Sequence, residues 1–386
     1  MKGFQISAEQ IALVVAGLVA DELSWRFKRH VDFLTAAAWN GETPIGAGGM
    51  GLLTSSERAA CTRRVETFFD LEEGALEEER AEKVAVWSKT IAQSIGGRLQ
   101  RFAFTAAGRD SATESSVHAA ADVYADAAAT ANLLYGRRRL VSLVSPHSLM
   151  GFVTTTLAAN LQGIALLDAR LLAPEDLRER LSFGDVVVAT PTLWRYLIGE
   201  GVRAPDNAVA VSFGEPMTPT LATSLRQAGF GAQRELYGST ETGVVAWRDS
   251  PGEPFILFDH WSRVDGAIGR RTAAGGVAAT AAMDAMDWLG ERAFKLGARR
   301  DGAVQIGAVN VFPDRIAAVI GAHRSVRDCR VEVTRHDGGF NRLVARIRLK
   351  SGLTPTDSVA RDIDVWCRAQ LRPPERPRIY NFVDEI

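Results

Sequence analysis

Apolar residues at the start of the chain recur three and four positions apart. The spacing is clearest from Glu57 to Phe69 and from Leu76 to Ile95, and it predicts a mostly helical region over residues 1–95. Ile11 to Ala20 is also apolar, but ten residues cannot span a bilayer. This segment is therefore predicted to belong to an amphipathic helix.

Strand-length apolar runs alternate with helical segments between residues 96 and 297. Because parallel strands are usually joined by crossover helices, this alternation predicts an α/β core with parallel pairing. Ala273 to Ala282 is rich in glycine and alanine and is predicted to be a loose loop. The predicted strands of the core are Leu140–Val144, Ile164–Leu167, Val186–Ala189 and Val209–Phe213.

The pattern changes again at residue 298, where shorter strands and helices predict a small α+β domain that extends to residue 386. The segments that carry it are Ala303–Ile306, Pro313–Ile320, Arg330–Val333, Leu343–Leu349 and Val359–Leu371. The predicted fold class is thus α/β, with a layered large domain, an N-terminal helical region and a small α+β C-terminal domain.

Composition changes this picture little. The 386 residues are 46% hydrophobic and 24% charged with a net charge of −1, which is ordinary for a globular protein and does not indicate a nucleic-acid partner. The three cysteines, Cys61, Cys329 and Cys367, are far apart and odd in number. They predict neither a disulfide framework nor a zinc cluster, and they fit a reducing, cytoplasmic location.

One short segment, Tyr237–Gly243, concentrates groups suited to a nucleotide site. The tyrosine ring can cover a purine, and the glycines allow the backbone to approach a ligand. Thr240 can donate to a phosphate or acyl oxygen, and Glu241 is a hard oxygen ligand suited to Mg²⁺. The simpler alternative is a polar connection after a strand, because glycine, serine and threonine are common turn residues.

The sequence of this segment, YGSTETG, resembles the signature of the adenylate-forming enzymes, which include acyl-CoA synthetases, luciferases and peptide-synthetase adenylation domains. Other segments follow in the family's order. Residues 186–194 resemble the strand-then-proline segment before the acyl pocket, and residues 211–217 resemble the loop along the adenylate. Residues 298–307 resemble the hinge between the large domain and the C-terminal lid domain.

This resemblance implies a reaction and a set of site residues. In the family, a carboxylate attacks the ATP α-phosphate and the CoA thiolate then displaces AMP, so ATP/AMP, Mg²⁺ and coenzyme A are the implied cofactors. Thr240, Glu241 and His147 are the implied catalytic residues, with Glu241 holding the metal and Asp301 acting as the hinge pivot. The implied nucleotide-binding residues are Gly108, Gly214, Glu215, Pro216, Tyr237, Gly238, Ser239, Asp284 and Arg299.

Within the superfamily, the chain resembles the short 4-coumarate–CoA ligases linked to chromophore activation for photoactive yellow protein. The likeness lies in its length and in segments such as Gly136–Arg139 and Trp366–Ala369. It implies a small aromatic carboxylic acid similar to 4-coumarate as the substrate. A photoactive yellow protein is then the implied downstream acceptor of the acyl group, and neither nucleic acid nor a membrane is an expected partner.

The chain departs from its relatives at the phosphate loop, whose family form is TSGSTGxPK. In the aligned segment Ala106 to Glu114 only Gly108 stays in register, Asp110 adds a negative charge, and Glu114 replaces the lysine. A cation at about 4 Å from a phosphate gains up to about 4 kcal/mol at an effective dielectric of about 20, and an anion loses a similar amount. Weaker handling of the ATP phosphates is therefore expected.

Two further departures concern single positions. Ser148 stands where the superfamily often has a histidine near the acyl and CoA pockets, and His147 comes one place early. The chain ends at Ile386, before the segment that carries the family's catalytic lysine. An ATP-dependent acid–thiol ligase is the leading hypothesis. An ATP-independent acyl or aryl transferase that uses a preformed thioester, or a non-catalytic relative that binds nucleotide or acyl-CoA, are the alternatives.

Overall fold

The structure is a computed structural model that describes residues 6–386 apart from 47, 52, 77–82, 108–112, 273–274, 307–308 and 336–340. The helices are α1 Ala8–Trp25, α2 Phe33–Ala38, α3 Ser55–Phe68, α4 Val84–Arg98, α5 Ala120–Leu133, α6 Leu149–Gly151, α7 Ala158–Gln162, α8 Pro174–Arg180, α9 Pro191–Gly199, α10 Pro219–Gln227, α11 Pro313–Gly321 and α12 Asp357–Gln370, with a π-helix at Phe152–Leu157 and a 3₁₀ turn at Pro373–Glu375.

The strands are β1 Arg101–Ala107, β2 Thr113–Ala119, β3 Arg139–Ser142, β4 Ala165–Asp168, β5 Asp185–Val188, β6 Val209–Ser212, β7 Ala232–Ser239, β8 Gly243–Arg248, β9 Phe255–Leu257, β10 Trp261–Val264, β11 Ala267–Arg271, β12 Val277–Thr280, β13 Asp284–Trp288, β14 Ala293–Arg299, β15 Val304–Ile306, β16 Val309–Val311, β17 Val326–Arg335, β18 Asn341–Leu349 and β19 Ile379–Phe382. The α/β class and the strand positions predicted between residues 140 and 213 are confirmed.

A large sheet has the strand order β13-β14-β9-β8-β7-β6-β5-β3-β4. Strands β4, β3, β5, β6 and β7 run parallel, as the crossover pattern predicts. The direction reverses at β8, which pairs antiparallel with β7, and β9 pairs antiparallel with β8. Parallel strands that are covered by helices on both faces read as continuous apolar runs, and β5 and β6 are buried at every position.

Alternate residues of the parallel strands face two separate cores. Val186 and Val188 of β5 belong to one core, which also contains side chains of α1, α3 and α5. Val187 belongs to the other core, together with Trp194 of α9 and other side chains of α8 and α10. The sheet is therefore covered by helices on both sides, with the N-terminal helices on the α5 side.

The N-terminal helix α1 is more deeply buried than an amphipathic helix would be. A capping box between Ser7 and Gln10 fixes its first turn, and the positions from Ile11 to Leu23 are mostly buried. Phe68 of α3 meets Phe102 and Phe152 edge-on, with ring centroids 5.8 and 5.6 Å apart. The N-terminal helices therefore share one core with the α/β sheet.

Two compact units make up the chain. One comprises Met1–Ala106, Ser115–Ala282 and Met286–Leu296, and the other comprises Ala107–Glu114, Met283–Ala285 and Gly297–Ile386. The second unit has its own core, in which α11 and α12 pack against the sheet β17-β18-β19. The three-part division of the chain at residues 95 and 297 stays a prediction.

One predicted loop is wrong in part. Within Ala273 to Ala282, residues 277–280 form β12, which pairs antiparallel with β11. Alanine and glycine hide this strand from the sequence pattern because three of its four residues are exposed and lack an apolar alternation. Among the described residues, no helix combines the length and apolar character needed to cross a membrane.

Candidate active site

The residues singled out in the large domain gather at one edge of the parallel sheet. Thr190 follows β5, Gly214 to Met217 follow β6, and Tyr237 to Ser239 form the end of β7. Because these strands are parallel, their carboxyl ends lie at the same edge, which is the usual ligand-binding edge of such sheets. Because β6 and β7 are parallel neighbours, the predicted adenylate loop after β6 lies beside the YGSTETG segment at the end of β7.

The YGSTETG segment contains the end of β7 and the turn that leads into β8, and the backbone of this turn is held by internal hydrogen bonds. The Ser239 N–H donates to Thr242 Oγ1 at 3.1 Å, and the Thr242 N–H donates to Ser239 Oγ at 3.2 Å. Gly243 has φ +89°, a left-handed angle that favours glycine. Ser239 and Thr242 therefore stabilise the turn itself.

The two side chains at the tip of this turn have a different environment. Thr240 and Glu241 are half-buried, and within the described part of the chain neither side chain makes a hydrogen bond or an ion pair. The Thr240 carbonyl lies 2.7 Å from His118 Nε2, so the backbone is fixed while the side chain is not. A hydroxyl and a carboxylate are thus presented together on a fixed turn.

Tyr237 and Gly238 precede the turn on β7. The half-buried Tyr237 ring packs against Phe255 and Phe294, with centroids 5.7 Å away in both cases. A Cβ on Gly238 would lie 2.1 Å from the Gly243 carbonyl oxygen, at the point where the β7–β8 register shifts. The hairpin itself therefore needs glycine at position 238.

The predicted adenylate loop, Gly214 to Met217, is tied to its surroundings by carboxylates. Glu215 Oε2 accepts a hydrogen bond of 2.7 Å from Thr192 at the start of α9, and Arg195 Nη1 lies 3.7 Å from the same oxygen. Glu215 Oε1 is buried and has no partner among the described residues. Gly214 adopts φ +86°, and Pro216 is exposed.

Glu235 links this loop to the hairpin and was missed from the sequence. Its Oε1 accepts from the Met217 N–H at 3.0 Å, and its Oε2 accepts from Arg248 Nε at 2.8 Å. Burial raises the pKa of Glu235, although the charge of Arg248 opposes this shift. Glu235 lies among other polar residues of β7, such as Gln233 and Arg234, so no signal in the sequence would single it out.

His147 lies against the N-terminal helix. Its Nε2 is 2.8 Å from Asp21 Oδ2 of α1, and a Cβ on Gly17 would lie 2.0 Å from its Nδ1, so the ring directly covers that glycine. Ser148, at the family's histidine position, donates to the Ser145 carbonyl at 2.9 Å and, as the N-cap of α6, accepts from the N–H of Gly151, the last residue of that helix. The catalytic role of His147 stays a prediction.

The remaining predicted residues belong to the second unit or lie outside the described residues. Arg299 Nε donates to Asp301 Oδ1 at 2.9 Å, and the Ala303 N–H donates to the same oxygen. Burial raises the pKa of Asp301, but the hydrogen bonds from Arg299 and Ala303 outweigh it and leave that pKa lowered. Asp284 begins β13.

Several predictions cannot be placed. Gly108 and residues 109–112 of the phosphate loop lie outside the described residues, and so do Gly307 and Ala308 after the hinge. Among the described residues, no three side chains of His, Cys, Asp or Glu gather as a metal site. The hairpin turn with Thr240 and Glu241, and the Glu215 loop beside it in sheet order, are therefore the described parts of the site.

Comparisons with known proteins identify similar sequences and similar folds. No family model matches the chain. It is 27% identical over 326 residues to the 4-coumarate–CoA ligase of Halorhodospira halophila, covering 84% of this chain and 82% of that protein. It is 32% identical over 248 residues to the 4-coumarate–CoA ligase of Rhodobacter capsulatus, covering 63% of this chain and 60% of that protein.

Solved structures show the same fold. A malonyl-CoA ligase in a ternary product complex, with methylmalonyl-CoA and AMP bound, matches with a TM-score of 0.59 at 18% identity. The match covers 74% of this chain and 71% of that structure. The large sheet with its helical layers is therefore the fold of this group of ligases, and the predicted fold class is confirmed.

Proposed function

Since the chain belongs to the adenylate-forming superfamily, we propose that it is an acid–CoA ligase that forms a thioester through an acyl-adenylate. The finer proposal is a ligase of the 4-coumarate–CoA type, which acts on a small aromatic acid. The relatives named 4-coumarate–CoA ligase support it. The observation that carries the proposal is the fixed hairpin turn whose Thr240 and Glu241 side chains have no partner among the described residues.

The roles of the turn residues follow from their chemistry. The Thr240 hydroxyl would donate to an oxygen of the AMP phosphate or of the acyl group, and Tyr237 would contact the adenine. The resemblance to adenylate-forming enzymes assigns the ribose contact to Arg299. Positioning of the reactants and neutralisation of charge would then supply most of the rate enhancement.

The environment of the Glu241 carboxylate is suited to binding a magnesium ion. Mg²⁺ is commonly held by one or two carboxylates together with substrate phosphates and water, and a half-buried carboxylate without an internal partner meets that requirement. When bound, the ion would neutralise phosphate charge.

The chain's own residues would fix where this charge is neutralised. His118 holds the Thr240 carbonyl, and the pair Ser239 and Thr242 closes the turn, so the Glu241 carboxylate needs little reorganisation. Glu235 connects the adenylate loop to β8 through Met217 and Arg248. This connection would keep the distance and orientation between the adenylate loop and the hairpin turn constant.

A second candidate function has one specific observation in its favour. Asp110 and Glu114 place negative charge in the segment that aligns with the phosphate loop. A transferase that moves an acyl or aryl group from a preformed thioester to another thiol would not need to bind ATP phosphates.

Photoactive yellow protein, with a cysteine as acyl acceptor, is the partner proposed for the ligase product.

The test is to incubate the purified protein with Mg·ATP, CoA and 4-coumarate while measuring AMP and the absorbance of the aryl thioester together. The ligase predicts that AMP and thioester form in equal amounts. Thioester exchange from coumaroyl-CoA to a second thiol without AMP would support the transferase instead. If the protein binds coumaroyl-CoA but catalyses neither reaction, the result would support a non-catalytic relative that binds acyl-CoA.

A further inference from the structure

A buried cluster of charged side chains, Asp126, Arg270 and His260, contacts the β7–β8 hairpin next to its turn. Neither the sequence motif nor the comparisons assign this cluster a role. Asp126 of α5 is 1% exposed. Its carboxylate accepts three hydrogen bonds, from the Val244 N–H at 2.8 Å, from Arg270 Nη2 at 2.5 Å and from His260 Nε2 at 2.7 Å. The first of these donors is the backbone immediately after the YGSTETG segment.

The carbonyl group of Val244 is hydrogen-bonded to a buried side chain as well. Trp261 Nε1 donates to the Val244 carbonyl at 2.9 Å, and the Arg270 guanidinium lies over the Trp261 ring at 4.6 Å. Trp261 and Arg270 are directly opposite each other in the β10–β11 pair. Val244 is therefore bound by buried side chains of α5 and β10, and Arg270 of β11 contacts both of those side chains.

Gly243 fits between this cluster and the turn. A Cβ at position 243 would lie 2.3 Å from Asp126 Oδ2 and 3.0 Å from Arg270 Nη2. The carboxylate therefore lies directly against the Gly243 backbone, where φ is +89°. Any movement of Asp126 would be transmitted to the turn, because close-packed interiors leave no space to absorb it.

The same stretch of chain holds the turn at two points. His118, at the end of β2, contacts the Thr240 carbonyl, and Asp126, two turns into α5, holds the Val244 N–H. Thr240 and Glu241 lie between these two points. Their side chains are thus the part of the hairpin that has no internal partner among the described residues, although the backbone on both sides is fixed.

We infer that Asp126, together with Arg270 and His260, is a positioning residue that sets the direction of Glu241 and Thr240 toward the metal and the reacting phosphate. This inference rests on the proposed function. Arg270 balances the charge of the buried carboxylate, and the three donors satisfy its lone pairs, as a buried carboxylate requires. A cluster that served stability alone could lie anywhere in the core.

The test compares Asp126→Asn with a matched control, Asp185→Asn. Asp185 is also 1% exposed, and it too accepts from an arginine, Arg139, and from a backbone N–H, that of Ser182. It lies at the first residue of β5, which is the edge of the parallel strands away from the candidate site. Both variants remove a buried negative charge that pairs with an arginine, but only Asp126 contacts the hairpin.

Per folded molecule, Asp126→Asn is expected to lower kcat for AMP formation by about 10- to 100-fold, because a small misplacement of a reacting group has an effect of this size. The Mg²⁺ concentration at half-maximal rate should rise several-fold, and the KM for CoA should not change. Asp185→Asn should lower the melting temperature while keeping wild-type kcat and Mg²⁺ dependence. Equal kinetics in the two variants would overturn the inference.

A second pair of variants covers the case in which Asp126→Asn does not fold. His260 is the most exposed member of the cluster, with 16% of its side chain accessible. His260→Phe removes one donor to Asp126 and should shift kcat and the Mg²⁺ dependence in the same direction, whereas His260→Gln keeps an N–H donor and should restore both. Failure of His260→Gln to differ from His260→Phe would contradict a role through hydrogen bonding.

Binding of Mn²⁺ in the presence of ATP, measured by electron paramagnetic resonance, separates the inference from the proposed function because it needs no turnover. Wild-type protein that binds Mn²⁺ more tightly than Asp126→Asn but forms no AMP would support the inference and overturn the ligase. Equal Mn²⁺ affinity in the wild type and Asp126→Asn, or no Mn²⁺ binding by either, would overturn the inference.

Discussion

The cysteine side chains illustrate how burial limits chemistry at the scale of single residues. Burial raises the pKa of Cys61 to about 12, with the charges of Glu22 and Glu57 acting in the same direction. Burial also raises the pKa of Cys329 to about 12 and raises that of Cys367. Since the thiolate is the nucleophile, these three residues are poor candidates for covalent catalysis at neutral pH.

We therefore predict that a disulfide exchange reagent such as DTNB labels none of the three thiols rapidly in the native protein at pH 8. A pKa of about 12 leaves only about one thiol in 10⁴ ionised at that pH, and the ionised fraction rises about tenfold per pH unit below the pKa. Denaturant should expose all three. A native thiol that reacts within seconds at pH 7 would contradict this prediction.

Glu241 offers the sharpest single-residue test of the proposed site. Replacing it with glutamine keeps the size of the side chain but removes the charge that would hold Mg²⁺. Loss of about 2.7 kcal/mol of charge stabilisation corresponds to a fall in kcat on the order of 100-fold. We expect this fall in ATP–pyrophosphate exchange, with weaker dependence on Mg²⁺.

The control for this test is Glu253→Gln, since Glu253 is an exposed carboxylate in the loop that follows β8. It should retain wild-type exchange. Equal activity of Glu241→Gln and the wild type would exclude a metal-binding role for Glu241, even if the protein proved to be a ligase.

At the scale of elements, the β7–β8 hairpin depends on backbone contact that no other residue permits. Gly238→Ala would place a Cβ 2.1 Å from the Gly243 oxygen and 3.0 Å from Val244 Cα, so the two strands would have to separate. Overpacking of this kind usually destabilises a protein by about 1–3 kcal/mol. We expect a lower denaturant midpoint together with a loss of AMP formation.

Gly252→Ala is the matched control, because Gly252 follows the same hairpin and a Cβ there would have no atom within 4 Å. Its stability should stay within about 0.5 kcal/mol of the wild type. A Gly238→Ala protein as stable and active as Gly252→Ala would mean that the close contact between the strands is not required.

A comparison of the strands β5 and β6 with the β7–β8 hairpin shows which structural features the sequence could predict. The runs of valine and alanine in β5 and β6 identified buried parallel strands, because a strand covered on both faces has no polar side. The turn of Ser239 and Thr242 was found by its residue types. Asp126 was not, because the Val244 N–H that it binds is 118 positions away and α5 gives no local sign of this contact.

The position of His147 was also set by a contact that the sequence could not predict. Its place one residue before the family's histidine position suggested a location near the acyl pocket, but its partner Asp21 lies 126 positions earlier in α1. Tertiary contact of this length is set by packing of the N-terminal helices, which the periodicity of the sequence does not specify. The sequence therefore predicted local patterns, whereas contacts between residues far apart in the chain, such as His147 with Asp21, could be seen only in the structure.

At the scale of the whole molecule, the two ends of the chain differ in how they are stabilised. Side chains of α1 and α3 belong to the same core as α5 and the sheet, so the N-terminal helices have no separate core. The second unit has one, built from residues of β16 to β18, α11 and α12. In the adenylate-forming enzymes that this chain resembles, the C-terminal domain rotates as a lid. Such a rotation requires a domain that has its own core.

We predict that residues 297–386 fold when expressed alone, because their core residues Ile316, Ile347 and Ile363 are fully buried within that segment. The fragment should show a cooperative thermal transition by circular dichroism, since a domain with its own core can fold independently. Ile347→Asp should abolish the transition because it buries an unpaired charge. Val365→Asp, at a position on α12 that is 59% exposed, should preserve it. A fragment without a transition, or two variants that behave alike, would mean that this core needs the large unit, and rotation of the segment as a lid would then lose its structural basis.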